Sequence, residues 1–583
     1  MKTFFVSLLG GFVSLLLFVL LIVGAVTMAV SGEEAEPGNV VLEIDLRTEM
    51  SDQPAIGGPS LLFASGAFTD VLQKLDAAQN DPKVKGVYIR ASEIGIGNSR
   101  AEELRSAILR LRESGKFVVA HTQGFLAAGP SALRSISAAD EIWLQPGSDI
   151  MLPGMTVETL FLKRLFDNLS IKAEIEQFYE YKNSPNIYKE TDYTEPHREA
   201  TLALMTDIWD VSLVDMAQDR GFASEAQLRA LLEEGPVSPD QAVATGLVTG
   251  LNWPEDVSEA VLERAGDGAE LLNILNYEAP AVSRNAPVIA IVGGEGTIVT
   301  GAAMPGPFGG DAIFASDRVA QALLDAGKDE DVRAIVFRID SGGGSAIASD
   351  QIWRAVQRVR EEMDKPVIVS MGSVAASGGY YVAAGADAIF ALKTTITGSI
   401  GVYGGKYALA EGLRQIGINP STLVVGGDFA TTFSLSEFTD SQREKLHVSL
   451  ERTYDRFMEI VAEGREIDES RVREIARGRV WSGVDAAERD LVTDIGGLIE
   501  AIDKARELAD IPADSKIATV YYPAPPNLGD MIAEFFGASA DTAEAAARLN
   551  TLMSNKQIKA LIEQSSALQS HQIQMRAPMM IEN

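Results

Sequence analysis

Short apolar runs alternate with segments in which apolar residues recur every three or four positions along most of the chain. Runs of the first kind are typical of buried strands, and segments of the second kind are typical of amphipathic helices. In the order strand, helix, strand, helix, the pattern occurs at 40–46, 68–79, 84–90 and 101–112, and again at 287–292, 316–326, 332–338 and 348–362. This alternation predicts an α/β fold with parallel sheets joined by right-handed crossovers.

The two sets of elements also match in sequence, which indicates a duplication. VKGVYIR at 84–90 corresponds to VRAIVFR at 332–338, and the segment 116–129 corresponds to 365–378, which places Ser377 opposite Ala128. We therefore predict a tandem duplication of one βαβ-containing unit, in which one copy holds a polar group that the other lacks. The predicted divisions are an N-terminal anchor at 1–36, a first repeat at 37–280, a second repeat at 281–520, and a linker with a helical tail at 521–583.

The segment 3–30 carries no charged residue, and it lies between Lys2 and a group of acidic residues at 33, 34 and 36. It exceeds the roughly 20 residues that a helix needs to cross the hydrocarbon core of a bilayer. We expect one transmembrane helix, with the N-terminus in the cytoplasm because the positive charge precedes the span. A secretory signal that is removed is the alternative, and the residues Ala-Val-Ser at 29–31 leave it open.

Composition excludes several classes of function. A net charge of -32 argues against a nucleic-acid partner, because nothing offsets the repulsion of phosphate groups. The absence of cysteine from the sequence excludes disulfides, thiolate metal sites and a cysteine nucleophile. We predict neither a metal site nor a cofactor.

Ser377 lies between a buried-type strand at 366–370 and a small-residue helix at 378–385. A serine at such a turn directs its hydroxyl into a cleft, where the amide of Gly378 and the helix dipole also point. The alternative interpretation is an ordinary helix N-cap, a position that serine commonly occupies.

The hexapeptide DSGGGS at 340–345 favours a catalytic interpretation of the serine. It follows a strand and precedes a helix, and its three consecutive glycines expose backbone amides and permit the close approach of a ligand. Neither the phosphate-loop spacing nor the dinucleotide-binding spacing is present. Hydrogen-bond donors for a developing oxyanion fit better. The first copy lacks both the glycine triplet and the serine.

A serine nucleophile needs a base, and none of the four histidines lies in a motif that suggests one. Lysine is another base used with serine, and Lys182 is the candidate. TEPHRE at 194–199 corresponds to TDSQRE at 439–444, and the second copy has no lysine between Lys406 and Lys445. Lysine in one copy and serine in the other would be complementary losses. Taken alone, Lys182 is equally well interpreted as a solvated surface side chain.

Four motifs together resemble signal peptide peptidase A in its long, tandem-repeat form: AASGGYY at 375–381, TGSIG at 397–401, DSGGGS at 340–345 and YKNS at 181–184. The resemblance extends from the N-terminal anchor to about residue 505. It implies a ClpP/crotonase-type fold and a serine–lysine dyad, with Ser377 as nucleophile and Lys182 as general base. It also implies an oxyanion hole formed by the amides of Gly343 and Gly378, and Ser399 as a group that orients the lysine.

The same resemblance implies a membrane-anchored serine endopeptidase that degrades cleaved signal peptides and other apolar segments. It places the protein in a bacterial inner membrane as a homotetramer, with the catalytic bulk on the periplasmic side. The family usually has proline where this chain has Gly342, so the loop is expected to be more flexible here. A lysine base must be neutral to accept a proton, so we expect activity that rises on the alkaline side of neutral pH.

Two alternatives from other classes stay open. The first is a catalytically inactive membrane-bound scaffold. The second is an acyl-CoA-binding protein of the crotonase type, which would use the same glycine-derived oxyanion hole without a nucleophile. The presence of both Ser377 and Lys182 favours the peptidase over either alternative.

Overall fold

The computed structural model describes residues 38–54, 66–126, 128–302, 312–513 and 515–524. The predicted membrane helix at 3–30 and residues 525–583 of the predicted linker and helical tail lie outside these residues. Within the described part of the chain, no helix is both long enough and apolar enough to cross a membrane.

The first half of the chain contributes seven strands and nine helices to the described structure. The strands are β1 (Asn39–Asp45), β2 (Val84–Arg90), β3 (Phe117–Thr122), β4 (Glu141–Leu144), β5 (Lys172–Gln177), β6 (Gly250–Leu251) and β7 (Ala269–Asn273). The helices are α1 (Phe68–Ala78), α2 (Asn98–Glu113), α3 (Ser131–Arg134), α4 (Lys163–Asn168), α5 (Asn186–Lys189), α6 (Glu195–Arg220), α7 (Glu225–Glu233), α8 (Pro239–Ala244) and α9 (Pro254–Ala265).

The second half contributes eleven strands and eight α-helices to the described structure. Its strands are β8 (Val288–Glu295), β9 (Thr297–Val299), β10 (Ile313–Ala315), β11 (Val332–Ser341), β12 (Val367–Ala376), β13 (Ala388–Ala391), β14 (Ile396–Gly398), β15 (Tyr403–Ala408), β16 (Val480–Ser482), β17 (Asp494–Ile495) and β18 (Ala518–Tyr522). Its helices are α10 (Ser316–Lys328), α11 (Ala346–Glu362), α12 (Gly378–Ala383), α13 (Ala410–Gln415), α14 (Asp440–Arg465), α15 (Glu469–Ile475), α16 (Gly483–Ala487) and α17 (Leu498–Leu508).

Each half builds one main sheet. The first is a parallel sheet in the order β6-β4-β3-β2-β1-β7. The second runs β16-β14-β12-β11-β8-β18, with β13 and β17 attached beside β12, and it is parallel except where β14 meets β16. The predicted α/β fold with parallel sheets is confirmed. Its physical basis is the burial of apolar strands beneath crossover helices on the sheet faces.

β12 extends further than the predicted strand at 366–370. Its pairing continues along β11 as far as Ala375 and along β14 as far as Ala376, because most of its later residues are also buried. β12 therefore ends at the residue immediately before Ser377. The correspondence of 194–199 with 439–444 is confirmed as well: Thr194 and Thr439 each cap a 26-residue helix, α6 and α14.

The two halves are joined by strand pairing and by a shared core. β5 of the first half pairs antiparallel with β15 of the second, from Lys172 opposite Ala408 to Gln177 opposite Tyr403. One hydrophobic cluster combines buried side chains of β1–β3 with residues of β8, β11, β12 and α17. The segment that carries Lys182 is thus attached to the second repeat, although it belongs to the first in sequence.

A buried ion cluster also crosses between the halves. The guanidinium of Arg338, on β11, lies 2.8 Å from Asp52 Oδ1 and 2.8 Å from Glu103 Oε2, and all three side chains are buried. Arg338 also donates to the hydroxyl of Ser370 at 3.0 Å. Buried charges need this degree of pairing, since an unpaired ion in a protein interior is strongly unfavourable.

Candidate active site

Ser377 occupies the single residue between the end of β12 and the start of α12. Its backbone has φ 54° and ψ -119°, a conformation that non-glycine residues adopt at a cost of about 1–3 kcal/mol and that clusters at functional sites. Its amide donates to the carbonyl oxygen of Gly398 at 2.8 Å, which holds the turn against the next strand. Ser377 occupies the N-cap position of α12, but its side chain accepts no hydrogen bond from the amides of that helix, so the side chain does not serve as a cap.

Lys182 follows β5 after a turn in which Tyr179 has φ 66°. The side chain is only 2% exposed, so the interpretation as a solvated surface lysine is wrong. Lys182 Nζ lies 2.9 Å from Ser377 Oγ, and it lies equally close to the carbonyl oxygen and to the hydroxyl of Ser399. The structure therefore brings together Ser377, Lys182 and Ser399, three residues that the sequence singled out.

Burial lowers the pKa of Lys182 from 10.5 to about 7. A charged ammonium loses its hydration on entering the interior, so the neutral amine is favoured there. Glu180, two positions earlier in the chain, forms an ion pair with Arg477 at 2.5 Å. The side chain is therefore arranged so that a substantial fraction of the amine is unprotonated near neutral pH.

The hydrogen bonds around Nζ limit proton transfer to two hydroxyl groups. A neutral amine has two N–H donors and one lone pair, while three oxygens lie 2.9 Å from Nζ. The carbonyl oxygen of Ser399 can only accept, so at least one of the two hydroxyls must donate to the lone pair. When the hydroxyl of Ser377 does so, its proton points at the amine, which is the geometry for general-base removal.

Ser399 is held in place by its backbone. It has φ 50°, and its amide donates to the carbonyl oxygen of Arg479 at 2.7 Å. Its side chain is 8% exposed, so its hydroxyl has little competing water. The TGSIG motif thus presents both oxygens of Ser399 to the lysine.

The glycine loop packs directly on the Ser377 turn. Gly343 has φ 98°, and a Cβ at this position would lie 2.5 Å from the amide nitrogen of Gly378 and 2.9 Å from Ser377 Cβ. Among the described residues, a Cβ on Gly342 would meet no heavy atom within 4 Å. The close approach therefore requires glycine at 343 and leaves room at 342.

Ser341 anchors this loop, and sequence analysis passed over it. Its hydroxyl donates to the carbonyl oxygen of Gly296 at 2.6 Å and accepts from the amide of Gly343 at 3.1 Å. The flexibility expected from Gly342 is thus limited by a side-chain bridge on the preceding residue. An oxyanion that binds the Gly343 amide must replace or share the Ser341 oxygen. The position of Ser341 within DSGGGS could have indicated its role, but the sequence does not identify its partner Gly296, which is 45 residues away.

The apolar residues after Ser377 are core residues. Tyr380 and Val382 are fully buried, and Tyr381 is 4% exposed. The Tyr380 hydroxyl donates to the carbonyl oxygen of Leu491, and the Tyr381 hydroxyl donates to Asp350. Within the described residues, no cluster of three or more histidine, aspartate or glutamate side chains could hold a metal ion.

Comparison with known proteins finds family matches in both halves of the chain. The model of "Peptidase family S49" matches residues 110–266 and 360–512, one segment in each half. "Serine protease SPPA, chloroplastic" of Arabidopsis thaliana is 29% identical over 82% of this chain and 71% of its own length. "Protease 4" of Haemophilus influenzae is 30% identical over 77% of this chain and 74% of its own.

A solved structure of a 1510-N membrane-bound stomatin-specific protease mutant aligns with 41% of this chain and 99% of its own, at 14% identity and a TM-score of 0.26. That score is too low to support an argument. The two family matches together span more than half of the chain and fall on the two repeats. The chain therefore belongs to peptidase family S49, and it is a serine peptidase in which the family domain occurs twice.

Proposed function

We propose that the protein is a membrane-anchored serine endopeptidase in which Lys182 is the general base for Ser377. The observation that carries the proposal is the 2.9 Å contact between Lys182 Nζ and Ser377 Oγ. Burial lowers the pKa of this lysine to about 7, which suits a general base. In this proposal the first repeat, 37–280, supplies the lysine and the second, 281–520, supplies the serine, on a tandem ClpP/crotonase-like fold.

The proposed reaction begins with attack of Ser377 Oγ on the peptide carbonyl while its proton passes to Lys182 Nζ. The amides of Gly343 and Gly378 donate to the oxyanion that forms. The ammonium of Lys182 then protonates the leaving amine, and water hydrolyses the acyl-enzyme with the same lysine as base. Ser399 orients Nζ through its two oxygens throughout.

The proposed substrates are cleaved signal peptides and other apolar peptide segments. The uncharged segment 3–30 would anchor the catalytic part at the membrane surface, where such peptides are released. We propose a location in the bacterial inner membrane, with the catalytic bulk on the periplasmic side, and a homotetrameric assembly. Each of these follows from the resemblance and from the N-terminal pattern, and no cofactor is required.

The test is a cleavage assay on an apolar, signal-like peptide with wild type, Ser377→Ala and Lys182→Ala. We expect both variants to lose at least about a thousandfold in kcat, as serine peptidases do when a catalytic group is removed. Lys189→Ala is the matched control, because Lys189 lies seven positions away and bonds Gln177 through Nζ at 3.1 Å. Full activity in Lys182→Ala would refute the lysine base.

The pH dependence supplies a second readout in the same assay. The base works when unprotonated, so kcat/KM of wild type should rise with pH through about 7 and then level. An optimum at acid pH would contradict a lysine base. Labelling of Ser377 by a serine-reactive phosphonate separates an active peptidase from an inactive scaffold.

A further inference from the structure

A three-residue segment of the second repeat, 477–479, packs against the turn that carries Lys182. We propose that this segment, Arg-Gly-Arg, is the positioning element of the lysine: it holds the lysine backbone where Nζ reaches Ser377. The inference rests on the proposed role of Lys182 as general base. The segment makes no bond to Ser377, so its action is through Lys182 and Ser399.

The backbone contact is the first observation. A Cβ on Gly478 would lie 2.6 Å from the backbone nitrogen of Lys182 and 2.7 Å from its Cα. Real side chains do not tolerate such distances, so the backbone of Lys182 packs directly against the Cα of Gly478. Gly478 is fixed in turn, since its φ is 80° and its amide donates to the carbonyl oxygen of Ile400 at 2.8 Å.

The same segment also positions the oxygens that receive Nζ. The carbonyl oxygen of Arg479 accepts from the amide of Ser399 at 2.7 Å. The backbones of Lys182 and Ser399 therefore both contact the same short segment, 477–479. A shift of this stretch would move Nζ relative to Ser377 and would disturb Ser399 at the same time.

Both arginines of the segment contact residues next to Lys182: Arg477 contacts Glu180, and Arg479 contacts Tyr181. Arg477 pairs with Glu180 at 2.5 Å. Arg479 pairs with Glu199 at 2.6 Å, and its guanidinium lies 5.0 Å from the ring centroid of Tyr181, whose hydroxyl also donates to Glu199.

The first experiment compares Gly478→Ala with Gly246→Ala. Gly246 has φ 77°, close to the φ of 80° at Gly478, so alanine is equally strained at both positions. Among the described residues, however, a Cβ on Gly246 meets no heavy atom within 4 Å. We expect Gly478→Ala to lose about a hundredfold in kcat with KM changed by less than about threefold, because a displaced base impairs the chemical step. Gly246→Ala should keep wild-type kcat.

The pH profile separates positioning from general loss of structure. In Gly478→Ala the lysine is less completely buried, so its pKa rises and the rising limb of kcat/KM moves to higher pH. A merely destabilised protein would lose activity without that movement. An unshifted limb would overturn the proposal, and so would a kcat equal to that of Gly246→Ala.

A second pair of variants tests the arginine contact. Arg477→Gln removes the ion pair with Glu180, and we expect kcat to fall by about tenfold with KM little changed, because the lysine turn is held less firmly. Glu180→Gln removes the same ion pair from the other partner and should give a similar loss. Wild-type kcat in both variants would show that the ion pair does not position the lysine.

The Lys182→Ala variant distinguishes failure of the general-base proposal from failure of the positioning proposal. If it keeps activity, the general-base proposal fails. If it is inactive while Gly478→Ala behaves as Gly246→Ala, the base stands and the positioning role of 477–479 is refuted.

Discussion

Lys182 exchanges the hydration of its ammonium for contact with Ser377. The change of its pKa from 10.5 to about 7 corresponds to about 5 kcal/mol of unfavourable interaction with the charged form. The unfolded chain binds this proton up to about pH 10, whereas the folded chain releases it near 7. Because the unfolded state holds more protons in that window, the contribution to stability rises with pH between the two values and is lost as the pH falls.

Replacement of Lys182 by methionine should remove this pH dependence. Between about pH 7.5 and 9.5, we expect the free energy of unfolding of wild type to rise by about 2.5 kcal/mol relative to that of Lys182→Met. Hydrogen bonds lost from Ser399 give only a constant offset, so the slope is the informative quantity. The measurement is urea unfolding at several pH values. Parallel curves for the two proteins would show that the lysine is not perturbed by burial.

At the scale of the elements, the glycine loop between β11 and α11 has two adjacent positions with opposite requirements. Gly342 has open space and lacks a left-handed φ, so Gly342→Ala should raise the free energy of unfolding by about 0.4–1 kcal/mol and leave kcat unchanged. Gly343→Ala would push on Gly378 and Ser377, and we expect kcat to fall at least about a hundredfold. Thermal unfolding and the peptide assay test both variants. Equal effects at the two positions would contradict the close packing at 343.

Corresponding arginines on β2 and β11 provide a second comparison between matched elements. Arg338, on β11, lies inside a buried ion cluster, whereas Arg90, at the corresponding position on β2, is half-buried. Arg338→Met leaves Asp52 and Glu103 buried without their partner and should cost about 3–5 kcal/mol. Arg90→Met should cost less than about 1 kcal/mol. Denaturant unfolding of the two variants gives the comparison, and similar losses would show that the cluster contributes no special stability.

The elements also show what could be learned from sequence. Strands and helices with strong local periodicity were predicted, and each prediction in one copy was supported by the matching segment in the other copy. The meeting of Ser377 and Lys182 was predicted from complementary differences between the copies. Three features were not predicted: the pairing of β5 with β15, the ion cluster of Arg338, and the packing of Lys182 against Gly478. Each depends on a partner hundreds of residues away, and local spacing does not identify such a partner.

At the scale of the whole molecule, the proposed active site draws on both halves of the duplicated chain. The first half contributes the lysine and the second contributes the serine and the glycine loop, yet both groups belong to one chain. The shared core and the β5–β15 pairing hold them in register without help from another subunit. Assembly into an oligomer would therefore multiply complete sites rather than create them.

Mixed assemblies test this directly. Ser377→Ala and Lys182→Ala chains, co-expressed with different affinity tags, should stay inactive on the peptide both before and after two-tag purification. Each chain lacks one member of its own dyad, and the 2.9 Å contact of Lys182 with Ser377 is made within a chain. As control, wild type co-expressed with the double variant Ser377→Ala/Lys182→Ala should keep the activity of its wild-type chains. If the first mixture regains activity, lysine and serine are shared between neighbouring chains, and the division of labour lies between subunits rather than between repeats.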